Sequence, residues 1–408
     1  MKERVEMREG RSMILDAVSV MDTETIDLLE ATGRVLAEDI YAQENIPPFS
    51  RSPLDGYVLR AQDIKEASKE NPVTLPILEE VAAGQVATQP VTKGTAIKIL
   101  TGAPIPEGAD LVVKFEDTEF TSEQVTFFAP GKSGDNIVPV GEDLKVGQLV
   151  LKKGQKITAP VRGILAGLGK SRLKVYKKVH VKLISTGSEL VPIDAPLTPG
   201  KIRNSSVYTL ASYLQEAGAS VTICPNVEDT VEAISDAVKA AQTDADVIMT
   251  TGGVSVGDYD HLKTVMTSLG ADVLFWKMRL KPGAAFLASV YNGIPVLSLS
   301  GNPASAAISM LLTCVPAIRK MSGYSEYMLR EIDGILETDF TKKSPNGRMV
   351  PGKLFIKDQK PMIWLSGHSG NGMLHPLEGC NIIGELAPSK EGVKAGSVVH
   401  AYDIGEFI

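Results

Sequence analysis

The sequence predicts a multidomain α/β-plus-β protein: a central three-layer α/β/α domain, two β-rich domains and an N-terminal helical/linker domain. Three observations predict it. The chain has 408 residues, too many for one ordinary core and enough for about two to four domains. Its texture changes to short β-type runs at residue 46. From residue 179 strands and helices alternate, which argues for a layered domain with a largely parallel sheet.

Residues 1–45 read as mostly helical, with Ile14, Leu15 and Val18 on one face and Ile26, Leu28 and Leu29 following. Residues 46–139 hold β-type runs at 95–100, 110–115 and 124–128, punctuated by Gly and Pro as in GAPIPEGAD. Residues 140–178 are turn-rich, with a helix near 161–168. They return to the first region, so that 1–45 plus 140–178 form one discontinuous domain.

In 179–324, a strand at 179–184 ends in STGSEL, and a helix follows with Val207, Leu210, Ala211 and Leu214 at i, i+3, i+4 and i+7. A strand at 219–224 precedes a helix marked by Val231, Ile234 and Val238. A third strand, 246–249, runs into TTGGVSVGDYD and a helix marked by Leu262, Val265, Met266 and Leu269. Strands at 273–276 and 296–299 follow. The last leads through SGNP into a long apolar helix, with Asn302 as N-cap and Pro303 as first helical residue. Residues 325–408 carry short strands at 353–356, 362–365, 381–386 and 398–402, a small β domain.

Composition narrows the function. Hydrophobic residues are 43% and charged residues 22%, as in a folded globular protein. With 42 Lys+Arg against 49 Asp+Glu the net charge is −7, which argues against a nucleic-acid partner. Cys224, Cys314 and Cys380 are far apart and odd in number, so they read as free thiols of a reducing cytoplasm. No signal peptide or membrane span is read from the sequence.

Ligands of open α/β sheets bind beyond the carboxyl ends of strands, and three such loops are unusual. Thr250-Thr251-Gly252-Gly253-Val254-Ser255-Val256-Gly257-Asp258-Tyr259-Asp260 has glycines that let backbone N–H groups approach a phosphate, and two carboxylates suited to a divalent cation. Alone it reads first as a tight strand-to-helix turn capped by Asp260, and only the surrounding loops reverse that reading. Ser300-Gly301-Asn302-Pro303 opens a helix, whose free N–H groups attract anions; alone it is equally a structural cap. Thr186-Gly187-Ser188-Glu189 lies beside Lys201-Ile202-Arg203-Asn204-Ser205, and Asp229 follows the second strand. Glu189, Asp229, Asp258 and Asp260 on one sheet edge form an acidic cluster that is costly without a metal or cations. Alternation places Lys277, Arg279 and Lys281 on one strand face, either solvated or aimed at an oxyanion. Asp55 in SPLDGY, Thr101 in LTGAP and Asp143 in GED sit in β-region turns. His180 and His400 build no catalytic set, and no G-x-G-x-x-G fingerprint occurs.

In this order, SPLDGYVL, ILTGAPIPEGADLVV, GEDL, LISTGSEL, KIRNSS, TTGGVSVGDYDH, FWKMRLKPG and LSLSGNPASA resemble the molybdopterin molybdenumtransferase family, which includes the bacterial MoeA proteins and the gephyrin E domain. The resemblance implies an elongated four-domain homodimer whose residues 179–324 bind molybdopterin. Its cleft is completed by β-domain elements of the partner subunit. The implied reaction takes adenylylated molybdopterin and molybdate to molybdenum cofactor and AMP, with Mg²⁺. It gives Asp55, Thr101, Asp143, Glu189, Asp229, Lys277 and Lys281 catalytic roles. It gives Thr186, Gly187, Gly252, Gly253, Ser255, Ser300, Gly301, Asn302 and Pro303 binding roles, and Glu189, Asp258 and Asp260 a metal role. The molybdopterin adenylyltransferase is a candidate partner. KPGAA stands where the family reads KPGKP, so Ala284 removes one positive charge, and SPLDGY replaces SAMDGY. Arg348 and Ser369 are the candidates for an Arg- and Ser-bearing stretch of the family's last domain. A non-catalytic scaffold and an adenylyltransferase are the competing functions.

Overall fold

The computed structural model describes residues 2–254, 261–368 and 370–405. It divides into two compact units, 1–38 with 153–158 and 172–408, and 39–152 with 159–171.

The first unit is built on a seven-stranded sheet. We label its strands β1 (Lys2–Glu6), β2 (His180–Ser185), β3 (Ser220–Ile223), β4 (Val247–Thr251), β5 (Asp272–Arg279), β6 (Phe286–Tyr291) and β7 (Ile294–Leu299), in the order β1-β5-β6-β7-β4-β2-β3. Its helices are α1 (Met7–Asp16), α2 (Ser206–Glu216), α3 (Val231–Ala241), α4 (His261–Ser268) and α5 (Pro303–Ser309). Strand side chains alternate between the sheet faces, and two buried clusters follow that alternation. Leu183, Met249, Ala288 and Leu297 pack with residues of α1, α2 and α5. Their chain neighbours Ile184, Ile248, Leu287 and Val296 pack with α3 and α4. Helix α5 continues through a π turn, Met310–Cys314, to Met321. This stretch of 19 residues is long and apolar enough to span a membrane, but its apolar window is 94% buried within the protein, so it is a core helix. A closed barrel follows: β8 (Glu331–Leu336), β9 (Arg348–Lys357), β10 (Lys360–Leu365), β11 (Ile382–Leu386) and β12 (Val398–Asp403).

One sequence expectation is refined here and one corrected. The sheet is largely parallel, as expected, but β6 runs antiparallel to both β5 and β7 and makes it mixed. Strand β6 was not foreseen, although its signal is present. Asn292-Gly293 joins β6 to β7 with φ of 50° and 81°, the two left-handed residues of a tight hairpin turn. Residues 1–45 are not mostly helical. Lys2–Glu6 adds a parallel edge strand to β5, and Thr23–Asp27 pairs antiparallel with Arg172–Tyr176. KERVE shows no apolar alternation because only Val5 is buried. The β-branched residues Thr23, Thr25 and Ile26 favour the extended backbone that follows.

The second unit carries a six-stranded sheet in the order Leu111–Lys114, Gly56–Leu59, Ala96–Ile99, Val73–Val81, Gln124–Phe127, Thr118–Phe120. Its core is centred on Tyr57, Leu111 and Phe127. A helix, Ala159–Gly167, and a strand pair, Ile40–Tyr41 with Leu149–Leu151, belong to the same unit.

Candidate active site

Three strand-end loops are welded at the carboxyl edge of the sheet. The N–H of Thr186, just past β2, donates to Thr251 O at 2.9 Å, and the N–H of Gly252, just past β4, donates to Leu299 O of β7 at 3.2 Å. The Thr251 hydroxyl donates to Ser300 O at 3.1 Å. Gly252 has φ of +93°. A Cβ there would lie 2.2 Å from Thr186 O, so no side chain fits where the loops cross. Gly253 also has positive φ, and a Cβ on it would lie 3.4 Å from Asp229 Oδ1. Asn226, absent from the sequence reading, holds the first loop: its Nδ2 donates to Gly187 O at 3.0 Å, and its Oδ1 accepts from Ser185 at 2.9 Å. Nothing in its short polar run, PNVED, distinguishes it from an ordinary turn residue.

These loops border a cavity of about 1550 Å³. Pockets for one drug-sized ligand run from about 300 to 1,000 Å³, so there is room for two molecules side by side. Thr186, Gly187, Glu189, Asp229, Gly252 and Gly253 line it, as do Lys281 and the Ser300-Gly301-Asn302-Pro303 turn. The expected acidic, glycine-rich and helix-start features therefore share one wall system. Ser255, Asp258 and Asp260 lie outside the described residues. Among the described residues no three His, Cys, Asp or Glu side chains come together as a metal centre; Glu189 and Asp229 supply two carboxylates.

Charge is divided unevenly along this cavity. On the β2–β4 side the acids Glu189 and Asp229 outnumber Arg203. On the other side Arg279 at the end of β5, Lys281 just past it and Arg348 at the start of β9 outnumber Glu6 and Glu385. Arg279 is paired with Glu6 at 3.0 Å. Arg348 Nε is buried without a hydrogen-bond partner among the described residues, as is the Thr186 hydroxyl. Such groups are costly to leave unmet, and both border the space a ligand would fill. A second cavity of about 210 Å³ shares Lys281 and Arg348 with the first.

Lys277 is not in this set, which corrects the one-face expectation. Its φ is +70°, which breaks the strand alternation. The ammonium lies 3.6 Å from the Trp276 ring centroid, where the electron-rich face attracts it. The helix start is also modified. Asn302 occupies the N-cap position without a side-chain capping bond; instead its N–H donates to the Ser300 hydroxyl at 3.2 Å. Pro303 has no N–H, and that of Ser305 donates to Asn371 O at 3.1 Å. Most of the donors expected there are therefore already used.

In the second unit, the SPLDGY and LTGAP turns meet. Asp55 Oδ1 accepts from the Thr101 N–H at 2.7 Å and from its hydroxyl at 2.8 Å. Gly56 is required because a Cβ there would lie 2.1 Å from Val113 O. The Thr101 backbone bond and then its hydroxyl hold the Asp55 carboxyl below its ordinary 3.8. Any stability this contributes is present above that ordinary value and is lost as pH falls through the lowered one. Thr101→Val is expected to move the Asp55 titration back up toward 3.8, read by carbon-detected NMR; an unmoved titration would show the backbone bond alone sufficing. Asp143 sits in the same unit, its N–H donating to Ile46 O at 3.0 Å.

Comparison with known proteins identifies the lineage. Residues 5–169 match the family described as MoeA N-terminal region (domain I and II). Residues 182–320 match the family described as probable molybdopterin binding domain. The molybdopterin molybdenumtransferase of Staphylococcus epidermidis is 35% identical over 374 residues, 92% of this chain and 89% of that protein. The Staphylococcus aureus protein of that name is 34% identical over 395 residues, covering 97% and 94%. A crystal structure of the molybdopterin biosynthesis MoeA protein from Pyrococcus horikoshii OT3 superposes with a TM-score of 0.82 at 31% identity, covering 98% of this chain and 100% of that one. The welded loops, the divided cavity and these likenesses over nearly the whole length agree, and the chain belongs to the molybdopterin molybdenumtransferase family.

Proposed function

We propose that the protein inserts molybdate into adenylylated molybdopterin, giving molybdenum cofactor and AMP. The observation that carries this reading is one cavity, larger than a single ligand needs, with an excess of acids on one side and an excess of cations on the other. Both substrates are anions. Two dianions about 5 Å apart repel by about 13 kcal/mol at an effective dielectric of about 20. One cation about 4 Å from a dianion returns about 8 kcal/mol on the same scale, so two can offset the repulsion. Lys281 and Arg348 take that role, clamping molybdate and a phosphate. The Thr186 hydroxyl and the Gly253 N–H are the donors offered to the pterin phosphate, and Gly187 and Gly252, whose own N–H groups bond the loops together, let it approach closely. Ser300, Gly301, Asn302 and Pro303 shape the wall between the two substrates.

The finer parts of the proposal rest on the family. Glu189 with Asp258 and Asp260 would hold Mg²⁺, and Asp229 would support them. When bound, the ion screens the phosphoanhydride and the departing AMP. Ser255 and Ser369, both outside the described residues, would add hydroxyls to the substrate contacts, and the catalytic role that the family gives Lys277 requires its ammonium to leave the Trp276 ring. Asp55, Thr101 and Asp143 serve the reaction in a homodimer, with β-domain residues of the partner subunit completing each cleft. The three-layer reading of the central domain and the division into 1–45 plus 140–178, 46–139, 179–324 and 325–408 belong to the same proposal. So do a cytoplasmic location and the adenylyltransferase as a partner.

Incubating purified protein with adenylylated molybdopterin, with and without molybdate, tests the reading. AMP release that needs molybdate, and that chelation of Mg²⁺ by EDTA stops, is the expected result. Binding without AMP release would instead identify a scaffold, and ATP consumption with molybdopterin an adenylyltransferase.

A further inference from the structure

We propose that Arg4 is an anion-binding residue of this cavity, engaging a tetrahedral oxyanion at the end farthest from the glycine-rich loops. The inference rests on the substrate reading above and extends it to a strand that no motif connects with the site.

Strand β1 forms the sheet edge beyond β5, five strand steps from β2, or about 24 Å at ordinary strand spacing. Arg4 and Glu6 nevertheless line the same cavity as Thr186 and Glu189. The register pairs Glu3 with Trp276 and Val5 with Met278, which sets Arg4 opposite Lys277. Both residues are left-handed, with φ of 54° and 70°, a conformation that costs a non-glycine residue roughly 1 kcal/mol. The paired kink re-phases both strands. Phe275 and Met278 are three residues apart, yet they share one buried cluster with Val5; unbroken alternation would send them to opposite faces. Gly10 of α1 is packed against all three, where an added Cβ would meet each at 3.1–3.2 Å. Backbone irregularities of this kind re-aim side chains beside functional sites.

The charges left by this arrangement point to a ligand. Glu6 neutralises Arg279 at 3.0 Å, whereas among the described residues no carboxylate pairs with Arg4. Arg4 is exposed and lines the cavity that Lys281 also lines. A planar fork of donors suits a tetrahedral oxyanion. Molybdate and a substrate phosphate share that chemistry.

Arg4→Gln and Arg4→Lys in the full-length protein test the proposal, with molybdate and adenylylated molybdopterin varied in turn. Arg4→Gln is expected to raise the KM of one of them about tenfold or more, far more than it lowers kcat, with Tm unchanged. Arg4→Lys should fall between Arg4→Gln and the wild type. The KM that moves tells which oxyanion Arg4 holds. Unchanged KM values for both substrates would overturn the proposal, as would a loss in both variants that follows a fall in Tm. If the wild type releases no AMP at all, the substrate reading has failed by itself. Calorimetric titration with sodium molybdate and with inorganic phosphate then decides Arg4: weaker binding by Arg4→Gln supports it, and equal binding refutes it.

Discussion

Replacing Lys281 with alanine is expected to slow molybdate-dependent AMP release by about 10²–10³-fold, the loss typical when one preorganised donor to developing charge is removed. Lys281 borders both cavities, and its neighbour Arg348 has a buried Nε without a partner among the described residues. With the ammonium gone, the Lys281–Arg348 pair of cations is broken, and the repulsion estimated above is offset only in part. The fold should be spared. The Lys281 side chain is exposed, and the backbone bond that Lys281 O accepts from Met349, at 2.8 Å, survives the substitution. Equal thermal unfolding of variant and wild type, alongside single-turnover AMP release, separates the two effects. Lys281→Arg should recover part of the rate, because it keeps the charge and changes its shape.

Gly252→Ala is expected to damage both stability and turnover. The added methyl would lie 2.2 Å from Thr186 O, at a φ of +93°. A backbone carbonyl on a residue whose own N–H is bonded to Thr251 O cannot yield as a flexible side chain would. Overpacking of this kind costs about 1–3 kcal/mol, and the left-handed backbone adds about 1 kcal/mol. Because Thr186 and Gly187 move with that carbonyl, AMP release should fall by more than about tenfold, the factor that 1.4 kcal/mol represents. Gly270→Ala is the control. Gly270 also has positive φ, +70°, but nothing lies within 4 Å of an added Cβ. It should show the backbone cost in Tm and keep its activity. Equal behaviour of the two variants would mean that loop crossing at Gly252 plays no part in the site.

Much of the site was legible because its loops are written in residues with few other uses. Thr-Gly-Gly, Ser-Gly-Asn-Pro and Thr-Gly-Ser-Glu follow strands whose apolar runs are clear, and the topology gathers them at one edge. Less legible were features set by pairing rather than by local pattern. Strand β1 contains one buried residue in five, and it is held by the free edge of β5 rather than by its own composition. The left-handed kink at Lys277 and Arg4 has no signature in either segment, so alternation put Lys277 on the wrong face. Arg348 lies far along the chain, where the resemblance offered it as a candidate but nothing in its own segment, RMVPGKLFIK, ties it to Lys281; only the fold brings both to one cavity. The hairpin into β7 was legible through Asn292-Gly293, and reading that pair as a tight turn would have made the sheet mixed from the outset.

Crystals soaked in tungstate, a heavy tetrahedral dianion of the same shape as molybdate, test most directly whether cations of this cavity hold the oxyanion. The charge division leads to an anomalous peak within about 4 Å of Lys281 Nζ, the range of a direct ion pair, on the side away from Glu189 and Asp229. A peak at another surface, with Lys281 and Arg348 turned from it, would contradict the division of roles on which the proposed reaction depends.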